Sequence, residues 1–166
     1  MKNILFLVCV LVSAQLFAQQ GDKNGSATFM VIDQAGKEIG TVIGVSQLGN
    51  VATVAFSFRG KPLPISVTRS TFQQNTLLFT STDCTGQPFQ DASSSPFLMT
   101  TVSGSSSTLF AESGPSQSIT AQSGLDPVAG CFQTSIPLSE AVPMSRVIDL
   151  NVFTPPFSVV SKGKDQ

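Results

Sequence analysis

The chain has no histidine, no tryptophan and no tyrosine among its 166 residues. Without histidine there is no Ser-His-Asp triad, no Cys-His pair and no His-ligated zinc or haem. Without Trp and Tyr, sugar recognition loses the rings that stack on a ligand while a polar edge hydrogen-bonds. Charge is scarce as well. Only 11% of the residues are charged, against about 25% in an ordinary domain. No basic stretch is dense enough to hold a phosphate backbone or an anionic membrane, so nucleic acid is not an expected partner. The nearest approach, Lys162-Gly163-Lys164, is followed at once by Asp165.

Hydroxyls stand where charges are missing. There are 23 Ser and 15 Thr, suited to turns and to the solvent face of strands. The other prominent feature is the start of the chain. Met1-Lys2-Asn3 is basic, Ile4 to Val12 is apolar, and Ser13, Ala14 and Ala18 are small residues before the polar pair Gln19-Gln20. That order predicts a secretory signal peptide cleaved near Ala18, with Ala14 the second choice. The apolar run is well short of the ~20 residues of a membrane span, so no transmembrane segment is expected in the mature chain. Cleavage removes Lys2 and moves the formal net charge from −1 to −2. The expected location is secreted or periplasmic.

Cys9 falls inside the predicted signal peptide, and Val8 before it is not the small residue a lipoprotein acceptor needs. Cys84 and Cys131 remain, an even number in a compartment where thiols oxidise, and are expected to form one disulfide. In the chain-entropy model a loop of that length is worth about 4 kcal/mol. As a metal pair they are poor, since two distant sulfurs have no histidine to complete a zinc site. No cofactor is expected.

Beyond the signal peptide, 19–26 reads as a flexible leader, 27–159 as a β domain and 160–166 as a disordered tail. The clearest strand is Val51–Phe58, where Ala52, Val54, Phe56 and Phe58 alternate with Thr53, Ala55 and Ser57. Ala27–Ile32 and Glu38–Val45 flank Asp33-Gln34-Ala35-Gly36, a type I turn candidate in a hairpin. Leu63–Thr68 is demoted to an edge by Pro62 and Pro64. Thr76–Ser81 is a short strand. Phe97–Ser103 and Thr108–Glu112 form a second hairpin, and Cys131–Ile136 and Arg146–Phe153 are further strands. Residues 91–95, 113–118 and 125–130 read as loops, 119–122 as at most a short strand, and 139–144 as a single helical turn ended by Pro143. Thr154–Phe157 must be extended around its two prolines. Short strands with turn signals every ~8–12 residues predict an all-β fold, a single antiparallel sandwich or barrel of about 8–10 strands. Phe56, Val54, Phe79, Leu78, Ile148 and Leu150 are the expected core.

Val31-Ile32-Asp33-Gln34-Ala35-Gly36-Lys37-Glu38-Ile39-Gly40, Leu78-Phe79-Thr80-Ser81-Thr82-Asp83-Cys84-Thr85-Gly86, Gly130-Cys131 and Phe153-Thr154-Pro155-Pro156-Phe157-Ser158 together carry a resemblance. They are similar to patches of a loose group of exported bacterial proteins, some of them beside collagen-like or tail-fibre-like segments. The resemblance implies a bacterial source and an all-β extracellular module. It carries no activity and no functional residues.

Chemistry is thin along the rest of the chain. Gly44–Gly49 approaches a nucleophile elbow, but Leu48 stands where the second glycine belongs. Ser161 and Lys164 have a Ser-x-x-Lys spacing in a polar tail that cannot desolvate the amine. Asp22–Asp33 begins like a calcium loop, yet Ala27 replaces the required glycine and no helices flank it. Asn24-Gly25-Ser26 is a glycosylation sequon, of consequence only in a eukaryotic host. The carboxylates Asp33, Glu38, Asp83, Asp91, Glu112, Asp126, Glu140 and Asp149 are scattered, and Asp33, Asp83 and Asp126 suit Asx turns. No catalytic or metal residues are assigned, and the chain is not expected to be an enzyme. The expected role is that of a non-catalytic exported module, structural or binding, with an envelope or extracellular protein or glycan as its partner. Two alternatives stand beside it. One is a carboxylate-dependent polysaccharide hydrolase, which needs two carboxylates in one cleft. The other is a disulfide-stapled inhibitor or adhesin presenting a loop, 82–95 or 113–130, with an apolar tip.

Overall fold

Alternation of apolar and polar side chains decides the architecture. The computed structural model describes residues 27–93, 99–104 and 107–162, so the predicted signal peptide, leader, sequon and Lys164 lie outside the described residues. Thr28–Lys162 form one compact unit. Two antiparallel sheets account for almost all of its order, and the described residues contain no α-helix. The first has five strands: β1 (Thr28–Ile32), β2 (Glu38–Val45), β3 (Ala52–Phe58), β4 (Lys61–Val67) and β11 (Ser158–Lys162), in the order β11-β1-β2-β3-β4. The second has six: β5 (Leu77–Phe79), β6 (Phe89–Asp91), β7 (Thr100–Ser103), β8 (Thr108–Glu112), β9 (Gln117–Asp126) and β10 (Gly130–Asp149), in the order β6-β5-β9-β10-β8-β7. β6 also pairs with β10, so β5, β9, β10 and β6 close into a ring. A single 3-10 turn, Leu150–Val152, follows β10.

The hairpins form where their residues predict. The carbonyl of Asp33 accepts from the N–H of Gly36, and its carboxylate caps the turn. β4, with Pro62 and Pro64, is an edge strand, where a missing donor costs little. In β3, Val54 and Phe56 face the core, paired across to Ile65 and Leu63. Gly40 of β2 is a forced glycine, because a Cβ there would collide with the backbone of Ala55.

Four parts of the expectation need correction. Gln117–Asp126 is one continuous strand, although the polar composition on either side of 119–122 predicts loops. This strand is central, and small residues suffice because its neighbours cover it: the Phe132 ring lies against Gly124, its cross-strand partner. Residues 139–144 are not a helical turn but the middle of β10. Pro143 sits where β10 changes partner, from β9 through β6 to β8, so a strand with a missing N–H passes there without loss. Phe89–Asp91 is a strand running into the expected loop, of which 94 and 95 lie outside the described residues. Residues 158–162, the last three of them read as tail, form β11 along β1. Among the described residues the strands therefore number eleven, against an expectation of about 8–10.

The main core lies between the five-stranded sheet and the end of the second sheet, where Val31, Val54, Phe56, Ile65 and Phe72 meet Val102, Leu109 and Leu150. Phe153 packs edge-on against Phe56 and Phe72, each with centroids 6.2 Å apart, and Phe157 lies 4.9 Å from Phe72. Such ring pairs add to what burial alone supplies. Phe153 and Phe157 therefore anchor this extended segment along the domain, with Thr154, Pro155 and Pro156 between them exposed. Two smaller clusters lie on opposite faces of β5, one around Leu77 and Phe79, the other around Phe89 and Ala121. Leu78, on the other face of β5 from Leu77 and Phe79, is only partly buried; so is Ile148, where the β10–β8 register shifts; and Val152 is exposed because the 3-10 turn interrupts the alternation expected to run through 146–153.

Candidate functional site

Asp33, Asp83 and Asp126 each serve their own turn. Asp33 Oδ1 accepts from the N–H groups of Ala35 and Lys37, at 2.9 and 2.8 Å, and Oδ2 from that of Thr154 at 3.2 Å. At 5% exposed it is an exception to the expectation of solvent-facing carboxylates. Burial pushes its pKa up, but those three N–H groups and Lys37 outweigh it and hold the carboxyl below its ordinary 3.8. The hydroxyls of Thr85 and Ser81 lower Asp83, the N–H groups of Ala129 and Val128 lower Asp126, and the Thr108 hydroxyl, with Arg146, lowers Asp149. A general acid needs a shift in the other direction. Among the described residues no three His, Cys, Asp or Glu side chains gather at metal-binding distance.

Cys84 and Cys131 do come together, with sulfurs 2.17 Å and Cα atoms 5.9 Å apart. The bridge fastens the mouth of the β9–β10 hairpin to the 80–86 loop. Ser123 binds the same loop, donating to the Ser81 carbonyl and accepting from the Cys84 N–H. Beyond the bridge the hairpin turns at Pro127-Val128-Ala129, capped by Asp126 Oδ1. Val128 at its tip is 94% exposed.

A further opening lies elsewhere, on the concave face of the five-stranded sheet. This sheet curls until its edges meet: the Phe157 N–H, just before β11, donates to the Arg69 carbonyl, just after β4, at 2.8 Å. The second sheet covers only part of the resulting trough. Phe29 shares a face with Val31, Val159 pairs with Val31, and Val45 pairs with Ala52, so all three belong to the apolar inner face. They remain 49%, 55% and 61% exposed. Beside Val159 is an open groove of about 560 Å³, within the usual ligand-site range. Val31, Ala52, Val67 and Phe157 line its floor, and Asn50, Thr68, Arg69 and Ser158 its rim.

Local chemistry fixes that rim. The Thr68 hydroxyl accepts from the N–H groups of Ser70 and Thr71 and donates to the Thr71 carbonyl. The turn carrying Arg69 is thus held from within. Asn50 Oδ1 accepts from the Ser46 hydroxyl at 2.9 Å, which ties the β2–β3 turn beside it. A smaller recess of about 220 Å³ opens on the opposite face, between β4 and β7, with Thr53, Ser66, Gln73 and Asn75 around it. There the Thr100 hydroxyl donates to the Pro64 carbonyl.

None of the trough residues stands out in the sequence as a site. Val31, Ala52 and Val67 read as core, and only the curl leaves a route to them from outside. The available signal is Thr68-Arg69-Ser70-Thr71, a lone cation in a hydroxyl-rich turn directly after an apolar strand. No protein-family model, curated protein or solved structure matches this chain.

Proposed function

We propose that this protein is an exported, non-catalytic binding module whose concave trough takes a small apolar or amphiphilic molecule. One observation carries the reading. An open groove has a buried apolar floor of Val31, Val67 and Phe157 and the exposed Val159 on its lining, and a concave apolar opening with a few polar groups is the form a small-molecule site takes. The lowered pKa values of Asp33, Asp83 and Asp126, each bound into its own turn, and of Asp149, held by Thr108 and Arg146, support a non-catalytic reading. Export rests on the N-terminal sequence.

The chain has no Trp or Tyr, so one introduced indole reports alone. Val159→Trp, at the rim, should blue-shift its emission when an apolar ligand enters. Adding Ala52→Phe, which fills the floor, should abolish the response. A response that survives the filled floor would place binding elsewhere and refute the reading.

The second reading, a stapled inhibitor or adhesin, is favoured by the tip of the β9–β10 hairpin. An ordered loop with a solvent-exposed apolar residue, held by a disulfide, is the arrangement such a protein requires. Val128→Asp should then abolish partner capture and leave trough binding unchanged.

A further inference from the structure

The rim of the trough has a consistent chemical sign. Its lining contains one guanidinium, Arg69, and no acidic residue. Among the described residues the only ion pair is Arg146–Asp149, so Arg69 has no carboxylate of its own. Asn50 commits its carbonyl oxygen to Ser46 and leaves its amide N–H groups for another acceptor. Ser158 adds a hydroxyl. Three donors therefore border an apolar floor formed by Val31, Ala52, Val67 and Phe157. The backbone that presents Arg69 is fixed twice, by the Thr68 hydroxyl within the turn and by the Phe157 N–H across the sheet edges. Little ordering is left to be done when a ligand arrives.

From this arrangement we infer that the trough selects an amphiphile with a carboxylate head, the head held at Arg69 and the alkyl body laid along the floor. The inference rests on the trough reading above and adds the polarity of the ligand. A guanidinium is the side chain best matched to a carboxylate, since its planar fork gives two parallel hydrogen bonds. An ammonium head would meet a like charge at this rim and no carboxylate to pair with. An alcohol would bury the same alkyl surface and forgo the charge-assisted bonds. Arg69 is exposed, so its contribution is modest and screened by salt.

The test is calorimetric titration of the unmodified full chain with three amphiphiles of equal chain length: dodecanoate, dodecanol and dodecyltrimethylammonium, each below its micellar concentration. The expected order is carboxylate, then alcohol, then ammonium. The carboxylate should lead the alcohol by about tenfold at low ionic strength and by less at high salt. Arg69→Gln should reduce dodecanoate to the affinity of dodecanol and leave dodecanol unchanged. Equal binding of dodecanoate and dodecanol, with no effect of Arg69→Gln, would overturn the carboxylate assignment while the apolar trough survives. Failure of all three to bind would remove the trough reading together with it. Circular dichroism of Arg69→Gln, matching the parent spectrum, separates a lost contact from a lost fold.

Discussion

At the scale of single residues, stability and acid sensitivity have separate sources. Phe56 is buried, meets Phe153 edge-on and faces Leu63 across β3 and β4. Phe56→Ala should cost about 3–5 kcal/mol, measured by urea unfolding. Asp33 contributes to the response to acid. Its carboxyl lies below 3.8 in the folded chain because it accepts three N–H bonds. A lowered folded pKa contributes stability that is complete above the unfolded value and is lost as pH falls through the folded one. Asp83, Asp126 and Asp149 are lowered too, so all four act in one direction. Thermal unfolding should be flat with pH above the ordinary carboxylate range and should drop steadily below 3.8. Asp33→Asn should make that drop shallower, and an unchanged slope would show that Asp33 is not its source. Asp33 is also where residue-level reading succeeded: an Asp opening a Gly-terminated turn predicts its own Asx geometry. That the same carboxylate reaches Thr154, 121 residues away, was not legible, because nothing local encodes a partner so distant.

At the scale of elements, alternation located the strands that have one wet face and missed those that do not. β3 is read correctly because Thr53, Ala55 and Ser57 point away from the core. β9 is hidden because its residues are small and polar, and what makes it a strand is the cover supplied by β5 and β10. Gly124 states the dependence most directly. Gly124→Val would put a side chain where the Phe132 ring lies, and it should destabilise the fold well beyond the usual cost of a surface substitution. The hairpin that β9 shares with β10 is also the element the disulfide holds. Cys131→Ser should cost about 2–4 kcal/mol, and limited proteolysis of that variant should cut first near Pro127–Gly130. Cleavage elsewhere would mean that the bridge restrains a different segment. The cysteines were legible as a pair from their number and setting. The trough was not, because it follows from how far a sheet curls, and strand sequences specify which face is apolar without specifying whether another sheet will cover it.

At the scale of the whole molecule, β10 joins the two parts of the fold. Its first half belongs to the ring with β5, β6 and β9, and its second half pairs with β8 above the main core. The parts should therefore unfold together, in one transition by both scanning calorimetry and circular dichroism. Two separated transitions would show that the bulges in β10 uncouple them. One more consequence follows from β1 lying against β11. The first and last described strands are neighbours, so the five-stranded sheet gains its final member only once the far end of the chain is present. Contacts this remote in sequence slow folding into the range of milliseconds to seconds. Under the proposed export, with the chain threaded outward from its N-terminus, that delay would keep the leading part from locking into its finished shape while the remainder is still in transit. The edge of β1 stays open during that interval, and an unpaired edge is where neighbouring chains add on. The vulnerable moment in the life of this protein is thus the wait for its last strand.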